Sequence, residues 1–142
     1  MNMLFIGALG LITISFGAIS VSAGQSQTLS SHESKHASPF ACNAFALSAE
    51  IRKRHFDQFG PALLTLKKAT RELADGYEFE FPADNHTYQL LTEWMFQERL
   101  CCPFFDIELR LESGAGPCWL RLTGQPGVME FLKADAPAWV NS

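Results

Sequence analysis

The spacing of apolar residues changes rhythm along the chain, and each change marks an element. Tyr88, Leu91, Met95, Glu98 and Cys102 recur at intervals of 3, 4, 3 and 4, with Leu90, Trp94 and Cys101 beside them. That period predicts a helix with one stripe turned to a core. Asp84 is its N-cap, and Pro103 ends it at or just before Cys102. From Phe105 the period falls to two. Ile107, Leu109 and Leu111 alternate with Asp106, Glu108, Arg110 and Glu112, which predicts a half-buried strand. Residues 114–117 turn the chain. The return strand from Cys118 puts Cys118, Leu120 and Leu122 on one face and Trp119 and Arg121 on the other. Upstream, Asp75-Gly76 supplies a tight turn, and Tyr77, Phe79 and Phe81 then alternate with Glu78 and Glu80 as a strand with one wet face.

Two further helices frame these elements. Ser48 caps a segment in which Ile51, His55 and Phe59 fall at i, i+4 and i+8, with Glu50 in the first turn and Gly60-Pro61 as its stop. A short closing helix follows Gln125-Pro126-Gly127. Between Pro61 and Leu73 the pattern fits either a helix begun by Pro61 or the first strand of a hairpin, and the hairpin is preferred. The order is α(ββ)αββα. It predicts an α+β fold: an antiparallel sheet of about four strands with helices packed on one face. The folded domain is expected over residues 42–133, with 134–142 as a C-terminal tail.

The N-terminus has a different character. Met3 to Ala23 holds no ionisable side chain and ends in Val21-Ser22-Ala23, the small residues that signal peptidase accepts. Residues 1–23 are therefore expected to be a cleaved export signal, with the mature chain starting at Gly24. The alternative is an uncleaved N-terminal anchor, since the run is about 20 residues, long enough to span a bilayer, and its start lacks Lys and Arg. The expected location is periplasmic or extracellular. Residues 24–41 are polar and Ser-rich and read as a flexible linker, in which His32 and His36 are solvated. A net charge of −4 over 142 residues argues against nucleic acid as a partner. No phosphate-binding glycine loop, nucleophile elbow or HExxH pair is present.

The chemistry lies in four cysteines: Cys42, Cys101, Cys102 and Cys118. A Cys101–Cys102 bridge would close a strained ring of eight atoms. That leaves Cys42 paired with Cys101 or with Cys102, and Cys118 with the other. Cys118 shares a face with Leu120 and Leu122 and reads as a small core residue. A soft metal is the leading reading. Thiolates of Cys42, Cys101 and Cys102, with His55 and Glu98 as further candidate ligands, would favour Zn(II) or another soft ion over Mg(II) or Ca(II). Two adjacent helical cysteines project about 100° apart, so a shared ion requires distortion at the helix end. Pro103 supplies the place for it. A structural disulfide domain is the first alternative. A thiol redox protein is the second, weakened because a helix C-terminus raises a thiol's pKa. The leading reading is a binding protein rather than an enzyme.

These residues also carry a resemblance. Glu98-Arg99-Leu100-Cys101-Cys102-Pro103-Phe104, then Trp119 to Gly124 and Gly127 to Leu132, resemble a group of small uncharacterised bacterial proteins. Those share an E-R-x-C-C-P core with W-L-R-L-T-G and G-V-x-E-F-L motifs, and are associated with heavy-metal resistance neighbourhoods. The likeness spans about residues 41–132. It implies that Cys42 matches the group's upstream cysteine, and that Cys101 and Cys102 match its vicinal pair. Cys118 departs from the group, where an aliphatic residue is expected. Most members lack a leader, which sets this chain's export signal apart.

Overall fold

The computed structural model describes residues 39–141. The expected leader and most of the linker, with His32 and His36, lie outside the described residues. Within them the order is a 3-10 turn (Ala44–Ala46), α1 (Ala49–Arg54), a π turn (His55–Phe59), α2 (Gly60–Leu66), β1 (Ala69–Glu72) and β2 (Gly76–Phe81). Then come α3 (Asn85–Cys101), β3 (Phe105–Leu111), β4 (Cys118–Gly124), α4 (Val128–Asp135) and α5 (Pro137–Val140). The four strands form one antiparallel sheet in the order β1-β2-β4-β3. This is the expected α+β architecture.

The register brings Tyr77, Phe79 and Phe81 beside Leu122, Leu120 and Cys118, and the last three beside Ile107, Leu109 and Leu111. That face meets the helices. Phe79, Phe81, Leu120, Leu91 and Leu63 are fully buried there. The other face was expected to be wet, but Glu78 is buried on it. Arg71, Arg110 and Arg121 all reach the Glu78 carboxylate, and Arg71 also lies over the Trp119 ring, 4.3 Å from its centroid. Three long guanidinium stems and an indole thus cover a carboxylate that simple alternation would expose. Gly76 is required at the start of β2, because a Cβ there would collide with the Leu122 carbonyl oxygen and come within 2.7 Å of the Thr123 Cα.

Three local expectations change. Gly60-Pro61 does not stop the first helix. Pro61 lacks an N–H and would crowd the preceding turn, and the helix accommodates it by widening. The Gly60 N–H bonds to the His55 carbonyl, five residues back, and the helix runs on as α2. The hairpin expected over 61–73 is therefore half helix, and only Ala69–Glu72 pairs with β2. Finally, the domain does not end at residue 133. Pro137–Val140 is helical, and the Trp139 ring packs on Trp94 and Phe79 at centroid distances of 5.2 and 5.3 Å. The Trp139 carbonyl accepts hydrogen bonds from Lys67 and Thr70, which ties α5 to the first strand.

Candidate thiol site

The site forms where α3 ends. Asp84 starts the helix by accepting from both the backbone N–H and the hydroxyl of Thr87, each at 2.9 Å. Burial along it follows Thr87, Leu91, Trp94, Glu98 and Cys101, one residue round from the stripe expected through Tyr88 and Met95, which are half-buried. Both versions contain Leu91 and Glu98. Cys102 is buried as well, and Arg99 is exposed. At Cys102 the backbone leaves the helix, with φ −125° and ψ 66°, ahead of Pro103. This departure is the distortion that two adjacent cysteines need. The Cys101 and Cys102 sulfurs lie 3.7 Å apart.

Cys42 arrives from the other side. The Asn43 N–H donates to the Cys101 carbonyl at 2.7 Å, so one otherwise unpaired carbonyl at the end of α3 fastens the incoming chain. Asn43 also caps the 3-10 turn through its side chain. With the Cα atoms of Cys42 and Cys102 4.6 Å apart, the two residues are joined as a disulfide. Cys101 and Cys118 are free and buried. Cys118 stays in the core beside Phe81 and Leu111, and burial pushes its thiol up to about 11. The Cys101 thiol is pushed up to about 12 by burial first, and then by the Glu98 charge and hydrogen bond. It therefore persists as a protonated thiol, 3.6 Å from Glu98 Oε2.

Glu98 is the hub. Its Oε2 is 2.8 Å from His55 Nε2, and the other ring nitrogen, Nδ1, is 3.2 Å from Gln97 Oε1. Gln97 is oriented by its amide group, which donates to Glu93. His55 is thus flanked by acceptors on both sides and donates to both when doubly protonated. The imidazole also stacks on Trp94, with centroids 5.6 Å apart and planes 12° from parallel. His55 reaches this place because it opens the π turn, a feature that often accompanies functional sites.

The donor atoms of Cys42, Glu98, Cys101 and Cys102 all lie within 4.8 Å of one another, a group that could hold a metal ion. Of the five residues expected at the site, these four converge. His55 stands behind them, bonded to Glu98. Gln97 and Trp94, which position His55, were not expected. Trp94 carried a legible signal, since it lies three and four residues from Leu91 and Glu98, the spacing of one helix face. Gln97 carried none. Beside the cluster opens a cavity of about 510 Å³, lined by Cys42, Cys102, His55 and Glu98 and walled by aromatic side chains. No helix among the described residues is long and apolar enough to cross a membrane. No family model, no curated relative and no solved structure matches this chain.

Proposed function

We propose that this chain is an exported soft-metal-binding domain whose reduced form holds one ion, Zn(II) or a softer relative, through Cys42, Cys101, Cys102 and Glu98. The observation that carries the reading is the convergence of those four donors within 4.8 Å. Thiolates bound at about 2.3 Å to a tetrahedral ion are about 3.8 Å apart. The Cys101 and Cys102 sulfurs, at 3.7 Å, already have that spacing. Binding first requires reduction of the Cys42–Cys102 bridge by an added dithiol, which is oxidised to its disulfide as the bridge becomes two thiols. Thiol protons are then displaced by the ion. In this reading His55 is a positioning residue: its bond to Glu98 Oε2 orients the carboxylate, as partners of metal ligands commonly do.

A second reading has its own observation. The Cys42–Cys102 bridge closes a span of 60 residues and joins the start of the domain to the end of α3, which is what a purely structural staple does. Native mass spectrometry of the reduced full chain with Zn(II) separates the two. The metal reading expects one bound ion with loss of thiol protons. Cys42→Ser and Cys101→Ser should each weaken binding strongly, and Cys118→Ser should change it little. Binding that survives both Cys101→Ser and Cys102→Ser refutes the metal reading. Export is tested separately by sequencing the mature N-terminus, expected at Gly24; Met1 retained in a membrane fraction would favour an anchor.

A further inference from the structure

The cavity beside the cluster has a composition that metal binding does not use. Its lining includes Trp94, Phe105, Phe131 and Trp139, together with both members of the Cys42–Cys102 bridge. A volume of about 510 Å³ suits a small organic molecule. Among the described residues its ionisable lining groups are His55, Glu98 and Asp135, together with the cysteines, with neither Lys nor Arg. Cys42 is exposed, whereas Cys102 is 1% exposed. Of the two residues, Cys42 is therefore the more open to an incoming nucleophile.

We propose that the Cys42–Cys102 bridge is a thiol–disulfide exchange site, and that the cavity seats its substrate: a small thiol with an apolar body that is neutral or cationic. The substrate sulfur attacks Cys42 Sγ. The Cys42–Cys102 S–S bond breaks, a mixed disulfide forms between the substrate and Cys42, and the substrate's proton ends on Cys102. The Cys102 sulfur leaves beside Cys101, 3.7 Å away, whose S–H can donate to it. A second thiol of the same class then attacks the substrate sulfur of the mixed disulfide. Its proton ends on Cys42, and the two substrate molecules depart as their disulfide. The balance is two thiols oxidised to one disulfide and one protein bridge reduced to two thiols. The aromatic walls favour the apolar body. Glu98 is held by His55, so the charge that faces the cavity is the Asp135 carboxylate, which disfavours a thiol carrying net negative charge. The inference stands whether or not the reduced site takes a metal.

The test uses the oxidised full chain with a metal chelator present, so that a failed metal reading leaves it unaffected. Benzyl mercaptan (neutral), cysteamine (cationic) and glutathione (anionic) are compared at equal thiolate concentration. Acid-quenched samples are analysed by intact mass and peptide mapping. The expected result is a benzyl adduct on Cys42, with bridge opening by benzyl mercaptan and by cysteamine at least about 10-fold faster than by glutathione, as about 1.4 kcal/mol of preferential seating would give. Trp139→Ala should narrow that ratio by removing a wall. Asp135→Lys, a change at an exposed position, should narrow it by admitting the anionic thiol, and remains usable if the Trp139 variant does not fold. Equal rates for all three thiols, an adduct on Cys102, or a bridge that opens only in denaturant would overturn the proposal.

Discussion

Removing the Cys42–Cys102 bridge tests how far the domain depends on it. The perturbation is Cys42→Ser, which acts at an exposed position and leaves the core intact. The bridge spans 60 residues of sequence, and the chain entropy that a cross-link of that span removes from the unfolded state corresponds to about 4 kcal/mol at 25 °C. The Asn43 N–H bond to the Cys101 carbonyl uses no sulfur atom and should hold the two ends together in the native variant, so the loss is expected to act mainly through the unfolded chain. Small domains hold about 5–15 kcal/mol in total, so the variant should fold with a much reduced margin. The assay is urea unfolding of the oxidised wild type and of Cys42→Ser. The midpoint should drop, and the m-value should rise because the unfolded chain, freed of its cross-link, exposes more surface. A loss below about 1 kcal/mol with an unchanged m-value would refute the reasoning, because the bridge would then not be restraining the unfolded state. Adding Zn(II) to the reduced wild type at about 100 times its dissociation constant should restore about 2.7 kcal/mol if the thiols hold the ion. A purely structural bridge predicts no restoration.

Other outcomes follow from other parts of the molecule. Phe79→Ala, in the centre of the face that meets the helices, should cost about 3–5 kcal/mol in urea unfolding; a loss under about 1 kcal/mol would mean that face is not the core. Gly76→Ala should cost about 1–3 kcal/mol, because the obstructing atoms belong to the β4 backbone; a neutral result would contradict the β2–β4 register. His55→Asn should weaken Zn(II) binding roughly 10-fold without removing a ligand, measured by competition with a chromophoric chelator; loss of all binding would make His55 a ligand itself. The raised Cys118 thiol, at about 11, stays protonated in the folded chain where the unfolded chain has already released its proton. Its contribution is therefore complete below the unfolded value near 9 and is lost as pH rises from there toward 11. Urea midpoints over that window should fall less steeply in Cys118→Ala than in the wild type, and equal slopes would refute it.

Much of this protein was legible in the order of its residues. The period-two runs from Tyr77, Phe105 and Cys118 and the helix from Asp84 to Pro103 are local patterns, and local patterns are set by backbone geometry and by which side chains avoid water. The closeness of Cys101 and Cys102 to a distorted helix end was also readable, because proline has only one local consequence there. Three features were decided only in three dimensions. The helix running through Gly60-Pro61 depends on the π turn, which buries His55 against Trp94 and Glu98. Packing won there against a local stop signal. The burial of Glu78 depends on arginines from three different strands, none of which signals its partner in sequence. The choice of Cys102 over Cys101 as the partner of Cys42 depends on where the backbone turns at the end of α3. Sequence spacing left that choice open because adjacent residues differ in direction rather than in reach, and direction is set by the tertiary fold.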